Sequence, residues 1–275
     1  MKNAIITCSD EKCGDFLVNH WFFSLRTNVN LKDIDVVVLD YGMSEKQRSV
    51  LKEHGAILYR CVNDGPIVIN RFRDAATFLT HKKYDQIMFC DGGDIIFQKD
   101  ISHLFEENKK SFRVVCENLI QSRFIKLSLL IFKTGTKHEF LNLLNYIQGK
   151  KMINTGLIIG NCRLLKTLCK ETLSKIDKKM FGADQLFINF YLYEHGFVEL
   201  SEKYNFIPSV AREPFFIKKG IFYLKSGEVI PVVHNAGWLK PLRVVDNFGY
   251  KTAQLNKKKV LLRKAFLFAI GLKRA

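Results

Sequence analysis

Two acidic residues separated by two glycines could form a metal site in this 275-residue chain. The sequence Asp91-Gly92-Gly93-Asp94 directly follows the apolar segment Gln86–Cys90. If that segment is a strand, it would hold both carboxylates in fixed positions, and the glycines would let a bulky ligand approach the backbone. Carboxylate oxygens suit Mg²⁺ or Mn²⁺, and such an ion can hold a diphosphate. The alternative interpretation is an Asp-Gly hairpin turn with exposed acids.

Further candidate side chains follow other apolar segments. His234 ends the run that begins at Val229, and a neutral imidazole can complete the coordination of an ion that carboxylates already hold. Gly237 would let the backbone approach a phosphate, and Lys240 would add a positive charge. Thr7 ends the first apolar segment. Taken singly, the histidine and the lysine also fit a structural loop histidine and a solvated surface lysine.

The first half of the chain alternates strand and helix patterns, which predicts the elements that position these residues. Short β-branched or apolar runs predict strands at 3–8, 34–40, 56–59 and 86–90, and apolar residues at helical spacing predict helices at 16–25, 44–54 and 69–79. Such alternation is typical of a parallel, doubly wound α/β sheet. In such sheets, ligands bind beyond the carboxyl ends of the strands. The candidate residues follow those ends.

The second half shows a similar pattern with less regularity. We predict strands at 112–116, 152–160 and 229–233, the second of them interrupted at 154–156, and helices at 139–147, 164–176 and 183–193. The state of residues 119–132 is left open. The pattern predicts one catalytic domain over residues 1–247 and a tail over residues 248–275.

Composition limits the class of protein. With 47% hydrophobic residues the chain can bury a large core. Its seven cysteines form no Cys-x-x-Cys pair and have no zinc-site spacing, so we expect them to act as small buried hydrophobic residues. This cysteine usage favours a reducing, cytosolic compartment for the protein. The chain enters a strand pattern at once, so we expect no signal peptide. The sequence contains no run of about 18 apolar residues, so we also expect no membrane-spanning helix.

The net charge of +16 is concentrated at the C-terminus. Residues 251–275 contain eight Lys or Arg residues and no acid, and short apolar groups separate the basic residues. This composition predicts contact with an anionic membrane surface, and the alternatives are a helix packed on the catalytic domain or a disordered tail. We expect no nucleic-acid partner, because no RNA- or DNA-binding signature accompanies the charge.

Residues 234–241 read His-Asn-Ala-Gly-Trp-Leu-Lys-Pro, which resembles the His-x-x-Gly-x-x-Lys-Pro signature of family 8 glycosyltransferases. Other segments agree with that family in order and spacing: residues 3–7, 94–105 and 154–157, and the pair Asp184-Gln185. The resemblance implies a GT-A fold, that is, a Rossmann-like, mostly parallel mixed sheet flanked by helices. It also implies a nucleotide-sugar donor and a divalent metal, Mn²⁺ or Mg²⁺.

The resemblance assigns metal binding to Asp94 and His234, with Asp91 as a further ligand. The family pattern is Asp-x-Asp, whereas this chain has Asp-x-x-Asp, so Asp91 is displaced by one residue. Leu242 stands where the family has an aromatic residue, and residues 8–11 lack the usual downstream tyrosine. We therefore identify the chain as a relative of family 8.

The remaining site residues are also assigned by resemblance. Donor binding falls to Thr7, Gly237, Lys240 and an arginine before the metal strand, for which Arg71 and Arg73 both match and Arg73 is chosen. The alternative interpretation of both arginines is a solvated helix face.

Contact with the transferred sugar is assigned by the same resemblance to Asn154, Asp184 and Gln185. In this assignment Gln185 stabilises the cationic sugar and Asp184 binds its hydroxyls. Asp184 would also suit the N-cap of the helix that it begins.

Together these inferences predict a retaining glycosyltransferase that moves a hexose from a UDP-sugar to a glycan or glycolipid acceptor. A membrane-associating tail would suit a lipid-linked bacterial surface polysaccharide, such as lipopolysaccharide or capsule, made at the inner face of the membrane. The alternatives are an inactive homologue that only binds the sugar nucleotide and a basic nucleic-acid-binding protein.

Overall fold

The computed structural model describes residues 2–120, 138–175, 182–237 and 240–269. Its largest element is a seven-stranded sheet with the strand order β3-β2-β1-β4-β7-β6-β8. The strands are β1 (Asn3–Ser9), β2 (Ile34–Asp40), β3 (Ile57–Arg60), β4 (Gln86–Cys90), β5 (Ile95–Phe97), β6 (Phe112–Ile120), β7 (Lys151–Asn161), β8 (Phe197–Glu199), β9 (Phe215–Lys218), β10 (Ile221–Leu224), β11 (Val232–His234), β12 (Val245–Asp246) and β13 (Gln254–Leu255).

The large sheet is mixed and mostly parallel. Strand β1 pairs in parallel with β2 and β4, β2 pairs in parallel with β3, and β6 with β8. Only β7 within this sheet runs against its neighbours β4 and β6. The predicted α/β architecture is therefore confirmed.

Helices cover the sheet. They are α1 (Glu11–Phe16), which continues through a π-helical turn (Leu17–Phe22) into α2 (Phe23–Asn28), then α3 (Glu45–Glu53), α4 (Ile67–Thr80), α5 (His138–Ile147), α6 (Cys162–Lys175), α7 (Ala183–His195) and α8 (Lys257–Ala269). The predicted helices are present, with ends that differ by a few residues. Most of the segment left open, residues 121–132, lies outside the described residues.

Both faces of the central strands are buried, as parallel strands in a covered sheet require. Ala4 and Ile6 of β1 pack into one hydrophobic cluster, together with Phe89 of β4. Ile5 and Met88, on the opposite face of the same strands, pack into a second cluster. Residues at the carboxyl ends of these strands are thereby held on a rigid support.

Strand β7 is continuous, so the predicted interruption at 154–156 is wrong as a break in the strand. The pairing with β6 nevertheless shifts there, from Val114 opposite Ile158 to Cys116 opposite Ile153. The residues between Ile153 and Ile158 bulge away from β6, while the β4 ladder continues to Leu157. A bulge of this kind redirects side chains near an active site.

The hairpin interpretation of residues 91–94 is wrong. Strand β5, which follows them, pairs antiparallel with β11 and not with β4. Residues 91–94 therefore connect the large sheet to a separate two-stranded sheet, and they lie at the carboxyl edge where β4 ends.

The C-terminal segment packs on the body beyond the predicted domain boundary at 247. Tyr250 and Ala253 are buried, and β13 pairs with β12. In α8, Val260 packs against a further hydrophobic cluster that includes Phe222 and Val245, whereas Leu261 and Leu262 are 68% and 54% exposed. Among the described residues, no helix combines the length and apolar character that crossing a bilayer requires.

Candidate metal centre and active site

Two carboxylates and one imidazole converge at the carboxyl edge of β4. The Nε2 atom of His234 lies 3.2 Å from Oδ1 of Asp94 and 3.6 Å from Oδ2 of Asp91. Ligand atoms of the three side chains all lie within 4.8 Å of one another. The β5–β11 pairing causes this convergence, because it sets His234 opposite Ile95 and lets Asn235 N–H donate to the Asp94 carbonyl at 2.8 Å.

The one-residue displacement of Asp91 does not remove it from the cluster. Its backbone N–H donates to the Gly156 carbonyl at 2.9 Å, which ties residue 91 to the bulge of β7. A Cβ on Gly156 would lie 2.3 Å from Cε1 of His234 and 2.8 Å from Oδ2 of Asp91. Glycine is needed here, since any side chain would occupy the space between two members of the cluster.

Arg71 lies behind the cluster, on helix α4. It is almost fully buried, and its Nη1 donates to Oδ1 of Asp91. Its Nη2 lies 3.9 Å from Oδ2 of Asp184. The guanidinium carbon is 5.0 and 5.5 Å from the ring centroids of Phe72 and Phe89, which makes this a cation packed on aromatic faces.

The electrostatics of the cluster favour a cation. Burial raises the pKa of Asp91, but the charges of Arg71 and His234 outweigh that effect and hold it below its usual value. Burial lowers the pKa of His234, but Asp94 and Asp91 outweigh it and raise that pKa above its usual value. In both cases the charged form is stabilised, the carboxylate of Asp91 and the protonated imidazole of His234, so the two acids stay negative and stabilise a positive charge beside them.

Arg243 contacts the other acid. Its Nη2 donates to Oδ2 of Asp94 at 3.2 Å, and its Nε donates to the Gly237 carbonyl at 2.9 Å. One oxygen of Asp94 is therefore directed toward His234 and the other toward an arginine. Asp91 is held in the same way by Arg71, so each carboxylate keeps one oxygen facing the centre of the cluster.

Buried amides support the histidine from behind. Nδ1 of His234 lies 3.0 Å from Oδ1 of Asn205. The amide nitrogen of Asn205 donates to Oδ1 of Asn154 at 3.0 Å, and Nδ2 of Asn154 donates to Glu117 at 2.7 Å. Oδ1 of Asn154 also accepts from the Gly156 N–H at 3.0 Å.

Two of the predicted donor-binding residues, Thr7 and Gly237, lie near this centre. The Thr7 hydroxyl is buried beside Gly92, where an added Cβ would lie only 2.6 Å from it, and it has no hydrogen-bond partner among the described residues. Gly237 is exposed. Arg73 binds Asp64 and Asp74 rather than the cluster, so Arg71 is the arginine that reaches it.

Part of the signature cannot be placed. Trp238, Leu239 and the side chain of Lys240 lie outside the described residues. The backbone of Lys240 begins the 3₁₀ turn Lys240–Leu242, against which α8 packs. The phosphate-binding role of Lys240 therefore stays a prediction.

The predicted sugar-side residues lie at the start of α7 and in the β7 bulge. Asp184 is buried in the first turn of α7, and Gly182 occupies the N-cap position, so the N-cap interpretation of Asp184 is wrong. Burial raises its pKa above the usual value, although Arg71 opposes the shift. Gln185 is partly exposed beside it. Both remain candidates for sugar contact.

Three residues near the cluster are absent from the sequence-based set. Asn205 and Glu117 lie far from the signature in sequence, and no local pattern marks them. Arg243 follows residues 234–241 by two positions, so a search of positions just beyond the signature would have found it. All three touch a predicted site residue rather than forming a motif of their own.

Comparisons with solved structures identify the fold. An active-site mutant of LgtC aligns with 99% of this chain and 97% of its own, with a TM-score of 0.56 and 14% identity. The bifunctional glycosyltransferase WbbM in its apo form aligns with 98% of this chain, with a TM-score of 0.56 and 15% identity, and the chain spans about half of WbbM, 51%. No family model and no curated protein matches the sequence. The chain has the GT-A fold.

Proposed function

We propose that the chain is a metal-dependent glycosyltransferase that moves a hexose from a UDP-sugar to a glycan acceptor. One observation carries the proposal: Asp91, Asp94 and His234 converge at the carboxyl edge of a GT-A sheet. Ligands of open α/β sheets bind at that edge. The similarity to WbbM, which is a glycosyltransferase, supports the same class of reaction.

The donor set fits Mn²⁺ or Mg²⁺. Two carboxylates suit a hard cation, and an imidazole is a common further ligand. When bound, such an ion would neutralise the negative charge that develops on the departing diphosphate. Arg71 and Arg243 hold the outer oxygens of the two acids, so the inner oxygens are oriented before the donor arrives. Preorganised groups of this kind lower the reorganisation that the reaction requires.

The donor would lie along the carboxyl edge. In this proposal Gly237 and Lys240 contact the diphosphate, Thr7 lies under the nucleoside, and Arg71 of helix α4 supplies the positive charge that holds Asp91. Gly237 is exposed and its carbonyl is held by Arg243, which keeps the backbone at the entrance to the metal centre. Lysine supplies a point charge suited to phosphate.

The sugar would lie between the metal centre and the start of α7. Asp184 would accept hydrogen bonds from sugar hydroxyls, and Gln185 would stabilise the cationic sugar with its amide oxygen. Asp184 lies 3.9 Å from Arg71, which also holds Asp91, so the sugar side and the metal side share one arginine. Family resemblance adds retention of anomeric configuration to the proposal.

The acceptor is proposed to be lipid-linked, as in bacterial surface polysaccharides, with the enzyme on the inner face of the membrane. Helix α8 supports this, because it exposes Leu261 and Leu262 beside Lys257, Lys258 and Lys264. Exposed leucines flanked by lysines suit the interface of an anionic bilayer.

The proposal is tested by a donor screen that measures UDP release from common UDP-sugars with Mn²⁺, with Mg²⁺ and with excess chelator. We expect release with one donor and its loss with chelator. Isothermal titration of the same donors reports binding independently. Binding without release from any donor would favour an inactive homologue. The absence of both binding and release with every donor would overturn the proposal.

A further inference from the structure

We propose that Asn205 and Asn154 are positioning residues that hold His234 in the tautomer with the proton on Nδ1, so that the Nε2 lone pair points to the metal. This inference rests on the proposed metal centre. Neither asparagine hydrogen-bonds to Asp91 or Asp94. Both act on the metal centre through the imidazole of His234. Their amides form one hydrogen-bonded chain whose direction can be deduced from its first member.

The chain starts at a group whose role is unambiguous. The backbone N–H of Gly156 can only donate, and it meets the side chain of Asn154 at 3.0 Å. The Asn154 atom at this contact must therefore be Oδ1. The other end, Nδ2, donates at 2.7 Å to Glu117, whose carboxylate accepts. Both contacts require the same orientation of the amide.

The hydrogen bond to Asn154 fixes the orientation of the Asn205 amide. It meets Oδ1 of Asn154 at 3.0 Å, and since that atom accepts, Asn205 must present its NH₂ group there. Its own Oδ1 is then turned toward Nδ1 of His234, at 3.0 Å. An amide oxygen only accepts, so Nδ1 of His234 must carry a proton.

The tautomer of His234 decides which nitrogen can bind a cation. With Nδ1 protonated, Nε2 keeps its lone pair in the neutral ring, and Nε2 is the atom near Asp94 and Asp91. A second hydrogen bond to the remote ring nitrogen is the usual way in which proteins orient a metal-binding histidine. Here the remote partner is an amide that is itself held.

Burial makes the chain rigid. Asn205 is 1% exposed, His234 2% and Asn154 6%, so water has little access to replace a lost partner. A buried polar group without a partner is costly, which strongly disfavours a flipped amide. Asn154 uses both ends of its side chain in this chain of contacts. The structure therefore assigns Asn154 to positioning rather than to contact with the sugar.

The first test measures Mn²⁺ affinity of the full-length protein by electron paramagnetic resonance. Asn205→Leu, which has similar volume and no acceptor, should weaken Mn²⁺ binding by about 10- to 100-fold. Asn205→Asp keeps an acceptor for Nδ1 but loses the donor to Asn154, so it should retain more of the affinity than Asn205→Leu. Asn3→Leu is the matched control, since Asn3 is a buried asparagine at the opposite end of the sheet whose Oδ1 accepts from the Gln86 N–H. It should lower thermal stability without changing Mn²⁺ affinity.

The second test observes the tautomer directly, without turnover. In protein labelled with ¹⁵N-histidine, His234 should show a slowly exchanging ring proton on Nδ1, both without metal and with diamagnetic Mg²⁺. His234→Gln identifies the signal. Asn205→Leu should lose the protected proton while the other histidine signals persist. A proton bound to Nε2 alone in the metal-free protein would overturn the inference.

The two tests separate failure of the inference from failure of the proposed function. If His234→Ala and Asp94→Ala bind Mn²⁺ as well as the wild type, the metal centre itself is wrong. If those two variants lose Mn²⁺ but folded Asn205→Leu binds it normally, the metal centre stands and the positioning role is wrong.

Discussion

The guanidinium of Arg71 lies between Asp91 and Asp184. It donates to Oδ1 of Asp91, and its Nη2 lies 3.9 Å from Oδ2 of Asp184. One belongs to the candidate metal centre and the other to the candidate sugar site. A buried cation shared by two carboxylates, buried Asp184 and partly exposed Asp91, couples their positions, so a change at Arg71 should affect both.

Arg71→Met should therefore damage both folding and transfer. Removing one partner from a buried ion pair costs about 3–5 kcal/mol, because the remaining charge is left without compensation. We also expect kcat to fall by about 10²–10³-fold, as when other preorganised electrostatic groups are lost. Urea denaturation and UDP release measure the two effects.

Arg73→Met is the comparison for that variant, since Arg73 lies on the same helix and pairs with Asp64 and Asp74. Its side chain is partly exposed, so we expect a loss of about 1 kcal/mol or less. If it contributes to donor binding, KM for the donor should rise with kcat little changed. Equal effects of the two variants on kcat would contradict the placement of Arg71.

Asp94→Ala should abolish metal-dependent transfer and leave the fold intact. The side chain provides an inner oxygen of the cluster, and its outer oxygen binds Arg243 at the protein surface. Mn²⁺ titration, UDP release and circular dichroism test this prediction. Asp100→Asn is the matched control, because Asp100 accepts hydrogen bonds from Asn30 and Ser102 away from the cluster. That control should lose about 1 kcal/mol of stability and keep its metal dependence.

Asp184→Asn should separate stability from activity. Burial raises the pKa of Asp184 in the folded protein, so the unfolded chain releases that proton at lower pH than the folded one. As pH rises through the interval between the unfolded value, about 3.9, and the higher folded value, ionisation of Asp184 lowers the free energy of unfolding. The neutral amide removes that penalty.

We therefore expect Asp184→Asn to be at least as stable as the wild type at neutral pH and to show less loss of stability between pH 4 and neutrality. Transfer should fall by about tenfold or more, because the amide cannot accept with both atoms. Urea denaturation across that pH range, with UDP release at neutral pH, tests both halves. A clear loss of stability in the variant would show that the pair with Arg71 outweighs the burial of Asp184.

Leu261→Gln with Leu262→Gln should weaken binding to anionic membranes. Burying one leucine side chain contributes about 1.5–3 kcal/mol, so losing two should reduce the bound fraction strongly. Sedimentation with liposomes that contain anionic lipid measures the effect, and purely zwitterionic liposomes are the control. Both leucines are exposed, so UDP release in solution should not change. Equal sedimentation of variant and wild type would remove the membrane proposal.

Local patterns were enough to predict most of the elements. The capping box at the start of α3 involves only Ser44 and Gln47, three residues apart, and both of its hydrogen bonds are present. Continuous apolar runs predicted buried strands because strands covered on both faces need no polar residues. The ordered motifs predicted the GT-A fold, which the structural similarities confirm.

The site itself depends on contacts between residues far apart in sequence. Asp94 meets His234 because β5 pairs with β11, and Asp91 joins them because Gly156 of β7 leaves the space. The sequence alone determined where the strands lie, since strand positions follow from local hydrophobic periodicity, and therefore which polar residues stand at their ends. Only the tertiary structure decided that Arg71 rather than Arg73 reaches the acids and that Asn205 holds the histidine, because strand register and helix rotation are set by packing across the whole sheet.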